Sequence, residues 1–374
     1  MSGVTRPMPV PEASRVRRSW RRLRFIPLAI AVLAMAAGLW TGLGRIGIPL
    51  PGEAPALMDA HGALMISGFL GTAISLERAV ALGRGWAYGA PFLSGAGALA
   101  LLLGAPRFAA LAFMLSGAVL LAASASIAMR HLALFTIMLA VAAACWSAGS
   151  LGWLLGHPTP AVVGWWLDFL ILTIAAERLE LGRLASLSTS SQVAFAAAAV
   201  LLLIGSARSE LAAAWAPFTA AGLLGCAVWL LRYDLARRTV RLAGQPRFAA
   251  LSILLGHLWL GTAGILLVIT PPGATAFAYD AAVHAITVGF VLSMIFGHAP
   301  IILPALTGMR VRINAFAYAP LGLLHVSMLV RLGGDMAERS DLRAMGAILT
   351  VLALVGYIVT LAVTSGAAAA RRPG

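Results

Sequence analysis

The sequence predicts an all-α polytopic membrane protein, a bundle of about twelve transmembrane helices. Three observations carry this expectation. Of its 374 residues, 61% are hydrophobic and only 11% charged, far too little charge to cover a soluble surface. Long apolar stretches recur from about residue 25 to the C-terminus, many near the ~20 residues that cross a bilayer. Only helices or closed barrels satisfy their backbones in lipid, and the alternating segments of a barrel, each ~10 residues long, are missing.

Helices are predicted over residues 25–44, 61–82, 86–103, 107–129, 132–155, 160–180, 190–206, 210–231, 247–270, 279–305, 313–331 and 342–365. The first follows directly from the basic run RVRRSWRRLRF, with no A-x-A-like cleavage site, so it reads as a span and not a signal peptide. GIPLPGEAP stops it. The second opens in DAHGALMISGFLG and closes in SLERAVALGR, and PRFAAL at 106–111 starts the fourth. Arg130 and His131 end the fourth, GHPTP separates the fifth from the sixth, and AAERLELGR closes the sixth. RYDLARRTVRLAGQPR follows the eighth, TPPGAT breaks the ninth, and RLGGDMAERS divides the last two, each a Gly/Pro or charged stop.

Arginine placement orients the bundle. With the N-terminus cytoplasmic, 21 arginines fall in or beside inner segments and 6 in outer ones, as the positive-inside rule requires. The expected organisation is a basic cytoplasmic segment (1–24), a twelve-helix transmembrane domain (25–366) and a short cytoplasmic tail (367–374). The net charge of +14 therefore marks membrane topology, with the lipid bilayer as partner and no nucleic acid. All 27 basic residues are arginine, which excludes lysine Schiff-base chemistry, a lysine-linked retinal included. The two cysteines have no metal or disulfide spacing. SLERAVALGR echoes AAERLELGR, and PRFAAL recurs at 246–251, a faint sign of duplication. Glu77-Arg78 and Glu177-Arg178 read first as ion pairs holding helix ends.

Seven histidines sort by depth. His131 and His157 fall at helix ends, whereas His61, His257, His284, His298 and His325 lie within spans, where polar groups are costly and mark sites. HAITVGFVLSMIFGHAP carries His284 and His298, 14 residues apart. Along an α-helix that spacing is ~21 Å, on nearly one stripe with a drift of ~40°. His61 and His284 each open an inward-running helix at one depth, an arrangement suited to the two axial ligands of a haem; the alternative is two isolated structural histidines. His257, His298 and His325 fall deeper and are candidates for a copper site or part of a second haem site, or for hydrogen bonds to helix carbonyls. Asp280 lies one turn before His284, either orienting that imidazole or marking the interface. Asp168 reads as a core acid or a proton carrier.

Twelve spans with a histidine on the second and its partner on the tenth resemble the catalytic subunit of haem-copper oxidases and nitric oxide reductases. HGALMISGFLG and HAITVGF…GHAP resemble more closely the NnrS-like bacterial membrane proteins, haem- and copper-containing relatives tied to nitric oxide metabolism. The resemblance implies a haem-copper-oxidase-like bundle in the bacterial inner membrane, with His61 and His284 as haem ligands. It also implies a role in electron transfer or in handling nitric oxide and nitrosative stress, with a redox partner or a small gas such as nitric oxide as ligand. The sequence departs from the oxidases in its tenth-helix spacing and in having no histidine on the sixth or seventh helix, which weighs against their dinuclear centre. The competing expectation is a haem-free secondary transporter, its histidines lining a substrate or proton path.

Overall fold

A computed structural model describes residues 23–52, 55–182, 187–207 and 212–366. The expected cytoplasmic tail, and all but the last two residues of the expected N-terminal segment, lie outside these. The chain is all-α: α1 Phe25–Arg45, α2 His61–Leu82, α3 Gly89–Leu102, α4 Pro106–Ala128, α5 Leu134–Leu154, α6 Thr159–Gly182, α7 Thr189–Ala207, α8 Ala212–Tyr233, α9 Gln245–Ile269, α10 Ala278–Thr307, α11 Tyr318–Met336 and α12 Ser340–Thr364. Among the described residues, 11 helices are long and apolar enough to cross a membrane, so this is a membrane protein. The remaining one, α3, is shorter than its predicted span. Its first turn is a 3₁₀ helix, Gly85–Tyr88, and 14 α-helical residues follow. At 1.5 Å per residue these rise about 21 Å, less than the hydrocarbon core.

Helices adjacent in sequence pack side by side, and α12 returns to α1. Small residues set the closest approaches, as expected where lipid removes the hydrophobic drive between helices. A side chain on Gly117 of α4 would meet the Ser147 backbone of α5 at 2.8 Å, and one on Gly346 of α12 would meet that of Arg331 at 2.8 Å. Helix α6 is the most enclosed; 72% of its apolar window is buried, including Trp166, Phe169 and Leu170.

Two irregularities shape the helices that carry the candidate site. Helix α2 is α-helical over His61–Ala63, π-helical over Leu64–Gly71 and α-helical again from Thr72. Helix α10 repeats the plan, with α-helix over Ala278–His284 and a π segment over Ala285–Leu292. Long π segments are rare and concentrate at functional sites. The one in α10 also breaks the α-helical phase that placed His284 and His298 on one stripe. Further along α10, Pro300 and Pro304 each remove a backbone donor, and side chains supply replacements. Tyr357 Oη donates to the freed Phe296 carbonyl at 2.5 Å, and Gln245 Nε2 to that of Pro300 at 3.4 Å.

Candidate functional site

His61 and His284 are brought together. Their ring centroids are 6.4 Å apart, with planes inclined by 11°. His61 Nδ1 donates to the Gly38 carbonyl of α1 at 2.7 Å, and His284 Nδ1 to its own helix at Asp280, 2.9 Å. A carbonyl only accepts, so each Nδ1 carries the proton and each Nε2 keeps its lone pair. That is the tautomer of a metal-ligating histidine held by an outer hydrogen bond. With metal–imidazole bonds of about 2 Å and roughly an ångström more from each nitrogen to its ring centre, trans imidazoles have centroids roughly 6 Å apart. The observed centroid separation, 6.4 Å in a parallel stacked pair, is of that size.

The two rings line a cleft bounded by α1, α2, α6, α10, α11 and α12, enclosing about 1280 Å³ of unfilled space with its open mouth included. Leu39, Met65, Ile66, Val288 and Leu292 make the walls apolar, and Arg45 and Arg331 add positive charge. The donor set is of the kind that would hold a haem: two neutral imidazoles, each with its Nδ1 proton on a backbone carbonyl.

Helix α1 seats His61 closely. A Cβ on Gly42 would stand 2.7 Å from His61 Cε1 and 2.9 Å from Nδ1, whereas one on Gly62 meets only Thr159 Cγ2 at 3.5 Å. Gly42→Val is therefore expected to displace the imidazole and lower haem retention at least tenfold, with Gly62→Ala near wild type. Haem-to-protein ratios after purification check this.

Asp280 acts differently from its expected role. Its carboxylate stands 4.0 Å from His284 Nδ1; its backbone carbonyl holds the ring instead. The Asp280 carboxylate receives Arg331 Nη2 at 3.0 Å and Arg343 Nη2 at 2.5 Å. Arg343 Nε in turn reaches Asp335 at 2.6 Å, and its guanidinium lies 3.5 Å from the Phe277 ring centre. This buried network braces α10 against α11 and α12 beside the imidazole pair. Sequence reading missed it, since Arg331 and Arg343 were only two of the outer arginines. Their position at helix ends facing an intramembrane aspartate was the available signal.

The expected copper site is not assembled. Among the described residues no three His, Cys, Asp or Glu side chains come together as a metal site, and each of the three histidines has its own nearest polar partner. His298 donates from Nδ1 to Met294 O at 2.7 Å and accepts from Arg178 Nη2 at 2.6 Å. Both of its nitrogens are thus occupied, one by a cation. His325 Nδ1 accepts from Trp259 Nε1 at 2.9 Å, and His257 faces Asp234, 3.5 Å away. Of the two Glu-Arg echoes, Arg78 and Glu177 form an ion pair at helix ends as expected, but across α2 and α6, whereas Arg178 contacts His298. Asp168 is a core acid, receiving Ser206 Oγ at 2.7 Å.

No curated protein matches the chain. A family model covers residues 22–366, nearly the whole sequence. The chain belongs to the family described as a domain of unknown function, DUF8744.

Proposed function

We propose that this is a haem-binding integral membrane protein, with His61 and His284 as the axial pair, acting in electron transfer or in nitric oxide and nitrosative-stress handling. The observation that carries the reading is the imidazole pair: 6.4 Å between centroids, nearly parallel, each ring proton anchored on a backbone carbonyl. When bound, the haem would supply one-electron chemistry. The protein's part is to fix both rings, to line the cleft with apolar side chains and to offset carboxylate charge with Arg45. The arginine asymmetry supports a bacterial inner-membrane setting with both termini cytoplasmic.

An absorption scan of detergent-purified protein, expressed with adequate haem and assayed for iron, tests the proposal. A Soret band with stoichiometric iron is expected. Colourless, iron-free protein would instead favour the transporter reading.

A further inference from the structure

The connection between α8 and α9 gathers charge of one sign. Within residues 232–247 five arginines, Arg232, Arg237, Arg238, Arg241 and Arg247, are all exposed. Asp234 is the only acid in that stretch, and it is 4% exposed. Its Oδ1 accepts from the Ala236 amide at 2.8 Å, and its Oδ2 stands 3.5 Å from His257 Nε2. The single negative group is thus turned into the bundle, and the outer face of the connection keeps its positive charge.

Local structure explains the sorting. The bond from the Ala236 amide to Asp234 opens a single helical turn, Ala236–Thr239. Ala236 is buried and Leu235, Thr239 and Val240 are half-buried, whereas Arg237, Arg238 and Arg241 are exposed. Arg237 and Arg241 are four residues apart with Arg238 beside them, so the three side chains leave one face of the turn. Arg237 Nη1 donates to the Arg232 carbonyl at 2.7 Å, which ties that face to the end of α8. Leu242, 53% exposed, follows Arg241 directly and sets an apolar group beside the cations.

Guanidinium groups crowded in this way repel one another and favour an anion between them. Their planar forks match the two oxygens of a phosphate. Cations beside an exposed apolar side chain suit the boundary between headgroup and acyl chain, so for a membrane-spanning chain the matching phosphate is that of a lipid. We propose that residues 232–247 form a binding site for the phosphate of an anionic glycerophospholipid, with Arg238 and Arg241 as its main contacts. The site lies at the start of α9, at the opposite end of that 25-residue helix from the imidazole pair, about 37 Å along its axis. It does not depend on haem.

Native mass spectrometry of the full-length protein in detergent, titrated with phosphatidylglycerol or phosphatidylcholine, tests it. The wild type is expected to retain phosphatidylglycerol in preference to phosphatidylcholine. Arg238→Gln with Arg241→Gln is expected to lower phosphatidylglycerol affinity about fivefold or more and to leave phosphatidylcholine unchanged. The control is Arg310→Gln with Arg312→Gln, which removes the same charge from exposed positions at the same end of the bundle; a change below about twofold is expected. Equal retention of the two lipids by the wild type, or equal losses in the two double variants, overturns the proposal. The first comparison needs no substitution, so a variant that fails to fold does not shield the idea.

Discussion

His61→Ala and His284→Ala are each expected to abolish a low-spin haem spectrum completely, although the two residues sit on helices remote in sequence. Both rings would be needed to hold the haem, so neither can compensate for the other. With one histidine gone, the other alone would hold the haem or fail to retain it, and either outcome would remove the low-spin bands. Added imidazole is expected to restore part of the spectrum in His61→Ala, because the Gly38 carbonyl that anchors the lost ring remains. The control is His298→Gln, whose ring belongs to the Arg178 contact and whose loss is expected to spare the spectrum. Absorption spectra of the purified variants decide this. A low-spin spectrum surviving in both alanine variants would reject the ligand assignment.

The second large effect concerns stability. Asp280→Ala removes the carboxylate shared by Arg331 and Arg343 and leaves buried guanidinium groups with too little counter-charge. Breaking a buried pair from one side costs about 3–5 kcal/mol. The Asp280 side chain is 25% exposed, so water relieves part of this and the lower end, about 3 kcal/mol, is expected. Because Arg343 retains Asp335, Arg331 is the group left most exposed to the loss. Adding Arg331→Met to Asp280→Ala is expected to recover stability, the signature of a coupled pair. Thermal unfolding of the two variants in detergent measures the difference. Additive losses would mean that the network does not brace the helices.

The all-helical membrane fold and the His61–His284 meeting were legible because hydropathy and axial depth are one-dimensional properties. Both histidines open their helices, and the equal depth expected from that was enough to suggest a meeting. What depth cannot supply is azimuth. His257, His298 and His325 share a rough depth, yet they face different neighbours, and Arg178 occupies the nitrogen that His298 would have offered to copper. The spacing argument within HAITVGFVLSMIFGHAP assumed unbroken α-helical phase, and the π segment over Ala285–Leu292 removed that assumption. No propensity in AITVGFVL distinguishes a π turn from an α turn. The third span was expected over 86–103 and its helical residues run over 85–102, but the first turn is 3₁₀, a difference that hydropathy does not register.

The most direct test of the haem site is electron paramagnetic resonance of the oxidised protein as purified in detergent. Two histidine ligands with ring planes inclined by only 11° predict a rhombic low-spin ferric signal, lost on substituting either His61 or His284. A high-spin signal, the highly anisotropic signal of perpendicular imidazoles, or no haem signal after haem-sufficient expression would contradict the site described here.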